Sequence, residues 1–123
     1  MTPVWIAVVE DDEGLRRALV HLLEASGHRV WAFPSAEALL SSDKRRGAAC
    51  LIFDVRLPGL SGFELQQRLA DEGCEAPVIY MTGRDDPLAR QRAARQGAAF
   101  FLKPFDGKTL LAAIGCALGG SSC

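Results

Sequence analysis

No two cysteines of this 123-residue chain stand at metal-ligand spacing: Cys50, Cys74, Cys116 and Cys123 include no C-x-x-C. That excludes a cysteine-built metal site. Cys50 opens an apolar run, and Cys116 stands in a helical pattern beside Ala113 and Ala117. Both read as core thiols rather than disulfide partners, which suggests a reducing compartment. No apolar run approaches the ~18 residues a membrane span needs. The start, "MTPVWIAVVEDD", enters a strand with no basic segment leading into a long apolar one. The expectation is a soluble, cytoplasmic chain with no membrane partner. An excess of one charge is missing too, since the formal net charge is −1, so nothing global points to a nucleic-acid surface. The basic clusters at 44–46 and 90–95 read either as solvated faces or as charge-guided partner surfaces. There is no internal linker and no repeat, and "GGSSC" after Leu118 has no recognition-helix pattern.

What is present is a regular alternation. "VWIAVV" (4–9) is a continuous apolar, β-branched run of the kind covered on both faces. Leu15, Ala18, Leu19, Leu22 and Leu23 then fall at helical spacing, with Gly27 placed to stop the helix. "RVWAF" (29–33) is a second strand, and Ser35 can cap a short helix carrying Ala38, Leu39 and Leu40 inward. "CLIF" (50–53) is a third strand. Ser61 and Glu64 form an S-x-x-E capping box, which starts a helix over 62–71. "PVIYM" (77–81) is strand four. Asp86–Pro87 supplies a cap and a first-turn proline for a helix that Gly97 closes. "AFFL" (99–102) is strand five, and a last helix over 106–118 buries Leu110, Leu111, Ile114 and Leu118. Strand and helix alternate five times within 49% hydrophobic composition, which implies one domain with a parallel sheet and helices on both faces.

In such open sheets the functional crevice lies outside the carboxyl ends of the strands. The residues there are Glu10, Asp11 and Asp12 after strand one, Asp54 after strand three, Thr82 and Gly83 after strand four, and Lys103 and Pro104 after strand five. Asp12 sits where a helix cap would. Asp54 has no such duty, because the next helix has its own cap at Ser61, and an unpartnered carboxylate at the end of a core strand is costly. Crowded carboxylates repel unless a cation joins them. An all-oxygen set suits Mg2+, which commonly handles phosphate. A lysine ammonium and a threonine hydroxyl would complete a cradle for phosphoryl oxygens. Lys103–Pro104 reads either as a plain turn or as a fixed, cis geometry.

With "VVEDDE", "FDVRLPGLSGFEL", "MTG" and "KPF" in this order and spacing, the chain resembles the receiver domain of two-component response regulators over residues 4–118. "DVRLPGLSG" with "SAEALL" is most similar to the N-terminal receivers of LuxR/FixJ-type transcription regulators. The resemblance implies a (βα)5, flavodoxin-like fold over 1–118, with 119–123 a flexible tail or the start of a linker. It implies that Asp54 accepts a phosphoryl group from a sensor histidine kinase. Glu10, Asp11, Asp54 and the main-chain carbonyl of Arg56 would hold Mg2+. Thr82 and Lys103 would bind the phosphoryl oxygens, the peptide before Pro104 would be cis, and Phe100 would be the switch aromatic that moves with Thr82. Phe100 also has the plainer reading of a core aromatic. Glu10 and Phe100 replace the commoner Asp and Tyr of the family. Arg84, beside the site, is a candidate for tuning phosphoryl lifetime. The fourth helix, fifth strand and fifth helix would form the responding surface, with Arg90, Arg92 and Arg95 candidates for a partner or homodimer contact.

The function so implied is a regulatory switch rather than an enzyme, acting on transcription through a DNA-binding domain absent from this chain, or alternatively as a stand-alone receiver. A Mg2+-dependent aspartyl phosphatase usually carries a second acid two residues after its nucleophile, where this chain has Arg56. A flavin or nucleotide module would want a Gly-rich or Ser/Thr-rich loop after strand one, where "EDDEG" places carboxylates.

Overall fold

A computed structural model describes residues 4–119, the side chains of 45 and 46 excepted. Strands β1 (Trp5–Val9), β2 (Arg29–Phe33), β3 (Cys50–Asp54), β4 (Val78–Thr82) and β5 (Ala99–Leu102) form one parallel sheet in the order β2-β1-β3-β4-β5. Between them run α1 (Glu13–Ala25), α2 (Ala36–Leu40), α3 (Gly62–Asp71) and α4 (Pro87–Arg95), and α5 (Gly107–Gly119) follows. This is the flavodoxin-like (βα)5 arrangement.

Each strand alternates its side chains between two apolar layers. Ala7, Val9, Leu51, Phe53, Val78 and Tyr80 face α2, α3 and α4, meeting Leu39, Phe63, Leu65, Leu69, Ala89 and Ala93. Ile6, Val8, Cys50, Ile52, Ile79 and Met81 face α1 and α5, meeting Leu19, Leu23, Leu110 and Ile114. Central strands buried on both faces explain the unbroken apolar runs of the sequence.

The helix starts follow local chemistry. Asp12 accepts from the Leu15 N–H, Ser35 from Ala38, and Asp86 from Leu88 and Ala89. At α3 the Ser61 hydroxyl accepts from the Glu64 N–H while the Glu64 carboxylate accepts from the Ser61 N–H, a closed capping box. The Ser61 N–H, and after it the Ser61 hydroxyl, pull the exposed Glu64 carboxyl below its ordinary value.

Some expectations shift. Asp54 and Thr82 are the last residues of their strands rather than the first beyond them. Ala38, Leu40, Leu111 and Leu118 are half-buried, because a short α2 and an α5 lying over β3 and β4 each bury a narrower stripe, around Leu39 and around Leu110 and Ile114. A single 3-10 turn at Asp43–Arg46, unanticipated, leads into β3. Cys116 is not the core thiol expected: it is half-buried late in α5, where it is disulfide-bonded. Cys50 and Cys74 are free, and burial pushes the Cys50 thiol up to about 12. The stretch read as a tail lies outside the described residues apart from Gly119, which ends α5.

Candidate functional site

The backbone ladders continue one step past the strands, and this sets the site. Glu10 N–H donates to the Phe33 carbonyl at 3.1 Å, Val55 N–H to Met81 at 2.7 Å, and Lys103 N–H to Thr82 at 2.8 Å. Residues from four strand ends are thereby held side by side at one edge. Glu10 and Thr82 are fully buried there, and Asp54 is 5% exposed.

Lys103 joins the acids. Its Nζ donates to Glu10 Oε1 at 2.5 Å and to Asp54 Oδ2 at 2.8 Å. The other oxygen of each carboxylate takes a backbone donor: Glu10 Oε2 accepts from Asp12 N–H at 3.1 Å, and Asp54 Oδ1 from Arg56 N–H at 2.9 Å. Among the described residues no buried side-chain polar atom lacks a partner. The Asp12 carboxylate caps α1, as its position suggested, and takes no part in the cluster.

Electrostatics leave this cluster short of positive charge. Oxygens of Glu10, Asp11 and Asp54 can come within 4.8 Å of one another, with Asp11 exposed at the rim. Burial pushes the Glu10 carboxyl up from 4.5 to about 7, with Asp54 adding repulsion and the Lys103 hydrogen bond opposing. Burial works against the charged Lys103, but hydrogen bonds to Asp54 and Glu10 outweigh it and hold the ammonium above its ordinary value. Three carboxyl side chains face one ammonium, an acidic excess that a divalent cation would offset. The donors are all oxygen, so the set fits Mg2+ by both charge and ligand type.

The remaining site residues surround this cluster. Thr82 Oγ1 accepts from the Arg84 N–H at 3.3 Å, so the hydroxyl proton stays available to donate. The Lys103–Pro104 peptide is cis. The Arg56 guanidinium reaches toward Asp86, the cap of α4, at 3.7 Å. Phe100 is half-buried, packs with the α2–α4 layer, and lies under the Arg90 guanidinium at 5.2 Å. Arg90 also pairs with Asp85 at 3.0 Å, and Arg92 lies over Phe63 at 4.5 Å. Two of the three arginines that are candidates for a partner contact, Arg90 and Arg92, also make contacts within the domain. One supporting residue was not anticipated: Arg16 of α1 donates to the Glu10 carbonyl at 2.9 Å, fixing the backbone that carries the acids. Nothing in the sequence pattern singles it out.

The parallel (βα)5 sheet thus gathers buried acids, a lysine and a threonine at its carboxyl edge. The family model described as "Response regulator receiver domain" matches residues 6–115, and the chain belongs to that family. It is 41% identical over 118 residues to the transcriptional regulatory protein FixJ of Azorhizobium caulinodans, covering 95% of this chain and 56% of FixJ. It is 43% identical over 114 residues to nodulation protein W of Bradyrhizobium diazoefficiens, covering 92% of this chain and 50% of that protein. The chain thus spans about half the length of the curated relatives it matches. Among solved structures, FixJ-N superposes with a TM-score of 0.85 at 32% identity, covering 100% of this chain and 99% of that one.

Proposed function

We propose that this chain is a phosphorylation-controlled switch in which Asp54 accepts a phosphoryl group from a sensor histidine kinase. The observation that carries the reading is the Lys103 ammonium shared between Glu10 and Asp54 at the mouth of the sheet. An Asp54 oxygen forms the new P–O bond while the bond from phosphorus to the donor nitrogen breaks, and its electron pair leaves with the donor imidazole. Lys103 offers N–H donors, and Thr82 its hydroxyl, to the phosphoryl oxygens. Glu10, Asp11, Asp54 and the Arg56 carbonyl would hold Mg2+, which when bound neutralises phosphoryl charge.

The acyl phosphate adds negative charge and new acceptor oxygens beside Thr82 and Lys103. Thr82 is drawn toward them, and Phe100 follows, which changes the surface of α4, β5 and α5. The regulators matched are about twice as long as this chain, which supports an output on transcription through a second, DNA-binding domain. The match to a regulatory protein and to the receiver family supports a regulatory rather than enzymatic role for the receiver, taken as residues 1–118. Homodimerisation through the α4-β5-α5 surface, tuning of phosphoryl lifetime by Arg84, and action in the cytoplasm belong to the same reading.

Incubation with acetyl phosphate and Mg2+, followed by intact mass, tests it. One phosphate adduct is expected in the wild type, absent without Mg2+ and absent in Asp54→Asn. An adduct that survives Asp54→Asn overturns the assignment.

A further inference from the structure

The loop after the phospho-accepting strand is held by a side chain from elsewhere in the fold. Glu37, in the first turn of α2, accepts from the Leu60 backbone N–H through Oε2 at 3.2 Å, across 23 residues of sequence. The same carboxylate occupies the space beside Gly59. A methyl group on Gly59 would stand 2.7 Å from Glu37 Oε2, and Gly59 has φ +78°. The helix that carries Glu37 is itself fixed, with Ser35 capping it at Ala38 N–H and both Ala36 and Leu39 fully buried.

The loop is short and tightly referenced to Asp54. Arg56 N–H bonds Asp54 Oδ1 at 2.9 Å, Gly62 N–H bonds the Val55 carbonyl at 3.1 Å, and Val55 and Leu57 are buried anchors. Between those anchors and the Ser61 cap lie Pro58, Gly59 and Leu60, which no regular element holds. The Arg56 side chain leaves toward Asp86 at 3.7 Å, an ion pair too long to fix a backbone. Among the described residues, Glu37 is the side chain that hydrogen-bonds this segment's backbone.

We infer that Glu37 is a positioning residue for the phosphoryl site. By bonding Leu60 and filling the notch at Gly59, it holds the Arg56–Ser61 loop so that the Arg56 carbonyl and Asp54 keep one geometry toward the cation. This rests on the phosphorylation reading above. Glu37 itself touches neither the acids nor Lys103.

Two variants separate hydrogen bonding from charge. Glu37→Gln keeps a carbonyl acceptor for Leu60 but loses the negative charge, whereas Glu37→Ala loses both. In metal-free protein, Leu60 amide exchange is expected to rise about threefold to tenfold in Glu37→Ala, the worth of one ordinary hydrogen bond. It is expected to stay near wild type in Glu37→Gln. The Mg2+ concentration giving half-maximal adduct formation from acetyl phosphate is expected to rise by about the same factor in Glu37→Ala, with Gln restoring it. Gly59→Ala is expected to slow adduct formation more in the wild type than in Glu37→Ala, where its neighbour is gone.

Equal behaviour of the Gln and Ala variants would mean that long-range charge, not positioning, is at work, and overturns the inference. So does unchanged Leu60 exchange in Glu37→Ala, or additivity with Gly59→Ala. A wild type that forms no adduct overturns the phosphorylation reading and this inference with it. A wild type that reacts while Glu37→Ala matches it overturns this inference alone.

Discussion

Gly62 lies against the backbone of Asp54: a methyl group placed on it would stand 2.5 Å from the Asp54 carbonyl oxygen and 3.2 Å from the carbonyl carbon. The first residue of α3 is therefore packed onto the strand end that carries the candidate nucleophile. Neither backbone can yield without moving the other.

Gly62→Ala is expected to destabilise the fold by about 1–3 kcal/mol, as overpacking does. Gly115, in α5, has nothing within 4 Å of such a methyl. Gly115→Ala is expected to stabilise by about 0.5–1 kcal/mol through helix propensity. Urea unfolding of the two variants checks the opposite signs. A neutral Gly62→Ala would mean that the strand end shifts freely.

Glu10 sets a pH dependence. Its folded pKa is raised to about 7 from 4.5, so between those values the folded state holds a proton that the unfolded state releases. Stability from this group is therefore present below pH about 4.5 and is lost as pH rises through about 7. In metal-free buffer, Glu10→Gln is expected to gain on the wild type by about 1–3 kcal/mol between pH 4.5 and 7.5. Denaturant midpoints of both proteins across that range measure it. A gap that does not widen with pH would contradict the cause assigned.

Tyr80 is fully buried, and its hydroxyl donates to Gln96 Oε1 at 2.7 Å. Burial pushes it up from 10 to about 12. The folded state thus keeps this proton where the unfolded chain loses it, and stability falls as pH climbs from 10 to 12. Tyr80→Phe is expected to cost about 0.5–1.5 kcal/mol at neutral pH, since the exposed Gln96 can turn to water. It should also blunt the alkaline loss, read as the shift of thermal midpoint between pH 9 and 11.

Both tryptophans of the chain are in one place. Trp5 and Trp31 stack at 4.4 Å and 7°, with Arg29 over Trp5 at 5.7 Å and Lys44 over Trp31 at 5.6 Å. Trp5 begins β1 while Glu10 follows its far end, about 16 Å away at strand rise. Intrinsic fluorescence is expected to change on unfolding and to stay nearly flat during a Mg2+ titration followed by calorimetry. A Mg2+-dependent emission change matching the calorimetric curve would show that the two ends of β1 communicate.

The parts of this structure that were legible in the sequence are those set by neighbours along the chain. The capping box at Ser61 and Glu64 placed α3 at 62–71, and the continuous apolar run at 4–9 marked a doubly covered strand. Asp54 stood out because its position broke the apolar pattern and no local duty explained it. What escaped depends on distant partners. Trp5 meets Trp31 because β1 and β2 pair with Trp5 opposite Arg29, a register no local pattern reports. Arg16 reaches the Glu10 carbonyl and Glu37 reaches Leu60 only once helices are docked. Cys116 looked like a core thiol because helical spacing cannot tell a half-buried position late in α5 from a buried one.

The shared lysine has a consequence for assembly. Glu10 and Lys103 are 93 residues apart in sequence, and Asp54 and Lys103 are 49 apart. No fragment lacking β1, β3 or β5 can bring the three together, and closing such long loops is entropically unfavourable until the sheet itself holds them. On the proposed reading, cation affinity would arise only once β1, β3 and β5 stand in one sheet. Mg2+ binding would then report on assembly, absent from any chain in which those three strands have not met.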